Sequence, residues 1–153
     1  MIADLSALYA RDLNKLMAEL EAYASDGALW TVRGEIANSA GNLALHLTGN
    51  LSQFVGDDLG GVPFLRESPA EFSRRDVPRA ELLAGLKRTL QVVQETLAGL
   101  DETQLDYVNQ RQLPGFPENM TTRFFLIHLY GHLNYHLGQI NDHRRLTVSR
   151  LTS

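Results

Sequence analysis

The chain has 153 residues, 44% of them hydrophobic, with 14 basic and 18 acidic side chains and a net charge of −4 when histidine is neutral. That fits a single folded domain, 1–153, and excludes disordered and collagen-like classes; the mild acidity argues against a nucleic-acid partner and against attraction to anionic membranes. With no cysteine, disulfides, thiolate metal sites and a cysteine nucleophile are excluded, and the five histidines remain as soft-metal ligands.

The opening Met1-Ile2-Ala3-Asp4 lacks the basic start and apolar run of a secretory leader, and no apolar stretch is long enough to span a bilayer, so a cytoplasmic protein is expected. From Leu5 to Tyr23, apolar residues at Leu5, Leu8, Tyr9, Leu16, Met17, Leu20 and Tyr23 predict a first helix, stopped by Ser25-Asp26-Gly27. A second helix opens near Asn38-Ser39 and runs to about Gly56, with His46 set in an apolar stripe of Leu43, Leu47, Leu51, Phe54 and Val55. The stretch from Asp57 to Pro78 reads as a long connection, of the kind that is often functional or carries small elements of its own. Leu83, Leu86, Leu90, Val93 and Leu97 then repeat at three and four residues, the seam of a bundle helix. A second irregular stretch, punctuated by Pro114-Gly115 and Pro117, leads to a final helix from a Thr121 N-cap to about Arg145. The expected fold is all-α: a four-helix bundle with long connections between helices two and three and between three and four.

The last helix carries the chemistry. His128, His132 and His136 recur every four residues, and neighbours at that spacing share a helix face. Positions 125, 128, 132, 135 and 139 follow a seam that predicts Phe125, Tyr135 and Gln139 pointing inward with the histidines. His132 and His136 can supply two metal ligands, and His46, the histidine outside this helix, is the candidate third; three protein ligands with an open position is the arrangement of a catalytic metal site, suited to zinc, nickel, iron or copper. On spacing alone His46 is equally a hydrogen-bonded core residue, and His128 is a core residue, a supporting partner or the alternative to His136. His143, beside Arg144 and Arg145, reads as an exposed histidine at the helix end. The absence of HExxH, of Glu-x-x-His, of phosphate-binding glycine loops and of a Gly-x-Ser-x-Gly elbow removes zinc proteases, di-iron bundles, nucleotide-binding folds and serine hydrolases.

Three segments carry a resemblance: Asn42-Leu43-Ala44-Leu45-His46-Leu47-Thr48-Gly49-Asn50-Leu51, the stretch from Pro63-Phe64-Leu65-Arg66-Glu67 to Glu71-Phe72-Ser73-Arg74-Arg75-Asp76, and the closing His132-Leu133-Asn134-Tyr135-His136-Leu137-Gly138-Gln139-Ile140. In these the chain resembles the DinB/YfiT-like superfamily of metal-binding four-helix bundles. The resemblance implies a divalent metal, nickel or zinc foremost, on His46, His132 and His136, and leaves His128 a supporting role. It also implies a homodimer and a metal-dependent transfer of a low-molecular-weight thiol to a small-molecule electrophile, since characterised relatives include bacillithiol S-transferases and a mycothiol-dependent maleylpyruvate isomerase. Many relatives have no known activity, so a non-catalytic metal-binding or stress-associated dimeric interaction module is the alternative. Where relatives often have arginine before Gly-Gln, this chain has Leu137. His128, Gln139, Asn50 and Tyr135 are the candidates to orient ligands or hydrogen-bond a substrate, and Glu67 or Asp76 to approach the mouth of the site.

Overall fold

The computed structural model describes residues 1–148; residues 149–153 of the expected domain lie outside the described residues. Helix α1 spans Ile2–Glu21, α2 Ala40–Leu51, α3 Ser68–Ser73, α4 Arg79–Ala98 and α5 Thr122–Val148, with short 3-10 turns at Gly27–Trp30 and Glu102–Asp106. α1 packs against α4 and α5, and α2 packs against the same two helices, so α1 and α2 stand on opposite corners of the bundle. Among the described residues there is no strand; a lone antiparallel bridge pairs Val108 with Thr121 and ties the last connection to the start of α5. No described helix is long and apolar enough to cross a membrane.

The four-helix architecture follows the sequence pattern, and the caps explain the boundaries. Ser39 Oγ accepts the Asn42 N–H at 3.2 Å and opens α2, while Thr121 Oγ1 accepts the Phe124 N–H at 3.1 Å and opens α5. The expected run of the second helix to Gly56 is met in two parts. After Leu51 the helix widens into a π-turn, Ser52–Asp57, with Asp58 and Gly60 donating five residues back to the Gln53 and Val55 carbonyls at 2.9 and 3.1 Å.

The core is built from Tyr9, Leu13, Leu16 and Leu20 of α1, Leu43, Leu47 and Leu51 of α2, Leu82, Leu86, Val93 and Leu97 of α4, and Phe125, Leu126, Leu129, Leu133 and Ile140 of α5. Leu83 and Leu90, two members of the predicted seam, are only partly buried, and Thr89 takes the inner position, its hydroxyl donating to the Gly85 carbonyl at 2.9 Å. One polar cluster is locked between α1 and α5. Asp12, 1% exposed, pairs with Arg11 at 2.8 Å and accepts the Tyr130 hydroxyl proton, and the Arg11 hydrogen bond holds its carboxyl down to about 2.

The inner face of α5 differs from the one the histidine spacing predicts. At about 100° per residue, Thr122, Leu126, Leu129, Leu133 and Ile140 define the buried arc, and the 125-128-132-135-139 seam lies roughly a quarter turn away. Of that seam Phe125 points inward as expected, whereas Tyr135, Gln139 and His128 are exposed and His132 and His136 sit at the rim of the buried arc.

Candidate metal centre

His46 rises from the middle of α2, and His132 and His136 from successive turns of α5. Their ring nitrogens converge: His132 Nε2 is 3.1 Å from His46 Nε2 and 3.1 Å from His136 Nε2. One nitrogen from each of the three falls within 4.8 Å of the others, and all three rings are partly buried. Four-coordinate zinc with nitrogen ligands near 2.05 Å holds them about 3.3 Å apart, close to the two 3.1 Å separations made by His132.

The far nitrogens decide whether the near ones can ligate. His46 Nδ1 lies 3.0 Å from Glu71 Oε1, and His136 Nδ1 lies 2.6 Å from Gln139 Oε1. An acceptor at Nδ1 places the ring proton there and leaves Nε2 with a lone pair aimed at the common point. His46 and His136 thus each present an Nε2 lone pair toward His132 Nε2. His132 Nδ1 is buried with no partner among the described residues. The donor set thus fits a divalent ion held by His46, His132 and His136.

Electrostatics favour the neutral, ligating form. Burial, together with His136 and His46, pushes His132 down to about 3. Burial lowers His136 as well, against the opposing hydrogen bond to Gln139. Burial alone would raise the Glu71 carboxyl, but hydrogen bonds from Arg66 and His46 outweigh it and hold the group below its ordinary range, ionised and able to accept.

Glu71 was not among the expected participants; Glu67 and Asp76 were, and both are exposed with no hydrogen bond to the three histidines. Glu71 belongs to the short helix α3 inside the connection. Arg66 grips it with Nε on Oε2 at 2.8 Å and Nη2 on Oε1 at 2.9 Å. Asn42 of α2 donates to the carbonyls of Glu71 and Arg74 at 2.9 and 3.0 Å, which fastens α3 to the bundle. Gly49 completes the fit, because a Cβ there would overlap Glu71 Oε2. The available signal was Ser68-Pro69, a proline in the first turn of a helix whose next acidic residue is Glu71.

The other candidates take different places. Gln139 reaches His136 from the exposed side. Tyr135 is 67% exposed and sets its ring edge-on to His136 at 5.3 Å, at the rim and not in the interior. His128 is exposed, its ring 6.4 Å from that of His132 and 4.7 Å from Phe116, with no hydrogen bond to the triad. Asn50 is buried, its Oδ1 without a partner and without contact to a histidine nitrogen among the described residues. His143 is 7% exposed, not a free helix-end residue: Nδ1 meets the Tyr23 hydroxyl at 2.7 Å and Nε2 meets the Thr31 carbonyl at 2.8 Å. The turn Gly27–Trp30 and the strand-like start at Thr31 carry that acceptor back against α5, which the local spacing around residue 143 could not reveal.

No curated protein sequence matches the chain. A crystal structure of a conserved protein from Enterococcus faecalis shares the fold with a TM-score of 0.69, covering 97% of this chain and 98% of that one at 17% identity. The model of the DinB superfamily matches residues 8–140, the span that contains all three converging histidines. With that model covering most of its length, the chain belongs to the DinB superfamily.

Proposed function

We propose that the protein binds a divalent metal, nickel or zinc, through His46, His132 and His136, and uses it in a thiol S-transferase reaction on a small electrophile in the cytoplasm. The observation that carries this reading is the meeting of three imidazole Nε2 atoms from two helices, with Glu71 and Gln139 behind two of them. A metal held there lowers the pKa of a coordinating thiol, so that thiolate is present at neutral pH.

The chain's own residues have distinct tasks in this scheme. The rings of Phe72, 5.0 Å from that of His46, and Tyr135, 5.3 Å from that of His136, stand beside the cluster. These apolar walls suit a small organic electrophile. The thiol sulfur forms a bond to the electrophilic carbon, the leaving group departs with its electron pair, and the thiol proton passes to solvent. Asn50 and His128 stand one helical turn from His46 and His132 on the same helices and are the candidates to hydrogen-bond a substrate group.

The homodimer that accompanies this reading has a candidate face. Phe124, Ile127 and Tyr135, 48%, 51% and 67% exposed, line one outer side of α5 with Gly131 between them and Gly138 beyond. This apolar stripe supports a second copy as its occupant.

The test is elemental analysis of protein purified without a nickel column, followed by thiol consumption across a panel of low-molecular-weight thiols and electrophiles. Near-stoichiometric metal with metal-dependent turnover supports the transferase. Metal without turnover in any pairing favours a non-catalytic metal-binding interaction module, and protein without metal sinks both.

A further inference from the structure

We infer that Arg66 and Glu71 form a charge-setting pair behind His46: Glu71 positions the ring by accepting its Nδ1 proton, and Arg66 withdraws the carboxylate's charge so that the centre keeps its electrophilic character. The inference rests on the metal reading above and concerns how strongly that metal is held.

The three ligands have three different partners at Nδ1. His46 faces a carboxylate, His136 a neutral amide, and His132 nothing among the described residues. A carboxylate at the far nitrogen makes an imidazole a more basic donor. Left alone, Glu71 would therefore make His46 the strongest of the three ligands and reduce the positive character of the ion. It is not left alone. Arg66 covers both carboxylate oxygens, and its Nη2 reaches to 3.4 Å from His46 Nδ1. Because Nδ1 already gives its proton to Glu71, that last approach is a cation placed against the ring, not a hydrogen bond.

The pair is built in, not incidental. Arg66 and Glu71 side chains are 12% and 8% exposed, where two charges attract with little screening. The guanidinium also lies over the Phe54 ring, 5.5 Å from its centroid, which fixes its plane. Gly49 vacates the space the carboxylate needs, and Asn42 pins the backbone carbonyl of Glu71. A residue that merely tied down the connection would not need a bare glycine beneath its carboxylate and a bidentate arginine above it.

Zn2+ affinity, measured by competition with a chromophoric chelator, and the visible absorption of the Co2+-loaded protein test the pair, with helicity of the metal-free variants as the folding control. Glu71→Gln keeps an acceptor and removes the charge; Zn2+ affinity falls about 10–100-fold. Arg66→Met leaves the carboxylate uncompensated; affinity rises several-fold, and the Co2+ bands move in the sense opposite to Glu71→Gln. Arg66→Lys, which restores the charge, returns affinity to the wild-type value. If Glu71→Gln fails to fold, Glu71→Asp takes its place and lowers affinity in the same sense. Loss of affinity in both the Glu71 and the Arg66→Met variants means a structural clamp and overturns the proposal, as does no change in either. A wild-type chain that binds Zn2+ no better than His132→Ala overturns the metal reading instead.

Discussion

His46 and His132 are 86 positions apart in the chain, yet their Nε2 atoms lie 3.1 Å from each other. Glu71 at Nδ1 of His46 leaves that ring's Nε2 as an acceptor, and His132, whose Nδ1 has no partner among the described residues, faces it with a nitrogen that either donates a proton or shares a cation. His132→Ala removes the nitrogen shared by both short contacts. Metal content by elemental analysis is expected to fall from near one ion per chain to background. His143→Ala, by contrast, leaves metal content unchanged but removes the partner of the Thr31 carbonyl and one of the two partners of the buried Tyr23 hydroxyl, which keeps the Ile140 carbonyl, and unfolding in denaturant is expected to show a loss of about 1–3 kcal/mol.

Acid acts on the same cluster through His132. In the unfolded chain this group titrates near 6.5, and in the metal-free fold only near about 3. Between those values the unfolded state binds a proton that the folded state refuses. Stability of the metal-free protein is therefore complete above 6.5 and declines as pH falls toward 3, with a slope from this group of at most about 1.4 kcal/mol per pH unit. Denaturant unfolding over a pH series should show this slope in the wild type and its reduction in His132→Asn. The metal itself competes with protons for the ligands, and its content should drop below about pH 6; retention far below that would mean other ligands hold it.

Gly49 sets two effects against each other. Alanine in a helix interior gains about 1 kcal/mol over glycine, but the added methyl here overlaps Glu71 Oε2, and overpacking of this kind costs about 1–3 kcal/mol. The carboxylate must withdraw, taking Arg66 with it. Gly49→Ala is expected to be net destabilising, by about 1 kcal/mol in thermal or denaturant unfolding, and to increase proteolytic cleavage within residues 62–76. A more stable Gly49→Ala would show that Glu71 is not held against α2.

The outer face of α5 gives a prediction about assembly. Ile127 lies within the Phe124 to Tyr135 stripe, half exposed. Ile127→Glu should leave helicity and metal content intact and convert a dimer to a monomer in sedimentation velocity. An unchanged sedimentation coefficient would remove this face as the contact.

The bundle was legible because its pattern is local. Heptad-like leucines in α4 and the Ser39 and Thr121 caps each declare their element within a few residues. The three converging histidines were legible for the same reason in α5, where His132 and His136 are one turn apart, and His46 because it interrupts an apolar stripe. The rotation of α5 was misjudged because the histidines were taken to mark the inside, when Leu126, Leu129, Leu133 and Ile140 do. Gln139 and Tyr135 belong to the rim as a result. Glu71 and Arg66 escaped notice since nothing in a charged, proline-bearing connection says which acid folds back. His143 was misjudged because its partners, Tyr23 and Thr31, are more than a hundred residues away.

One consequence reaches beyond this chain. The carboxylate behind His46 arrives on the short helix between the second and third long rods, whereas the ligands themselves ride on the rods. The cage and its electrical setting are thus inherited on separate stretches of sequence. Exchanging residues 62–76 would change what stands behind His46 while the three histidines and the interior leucines stay as they are.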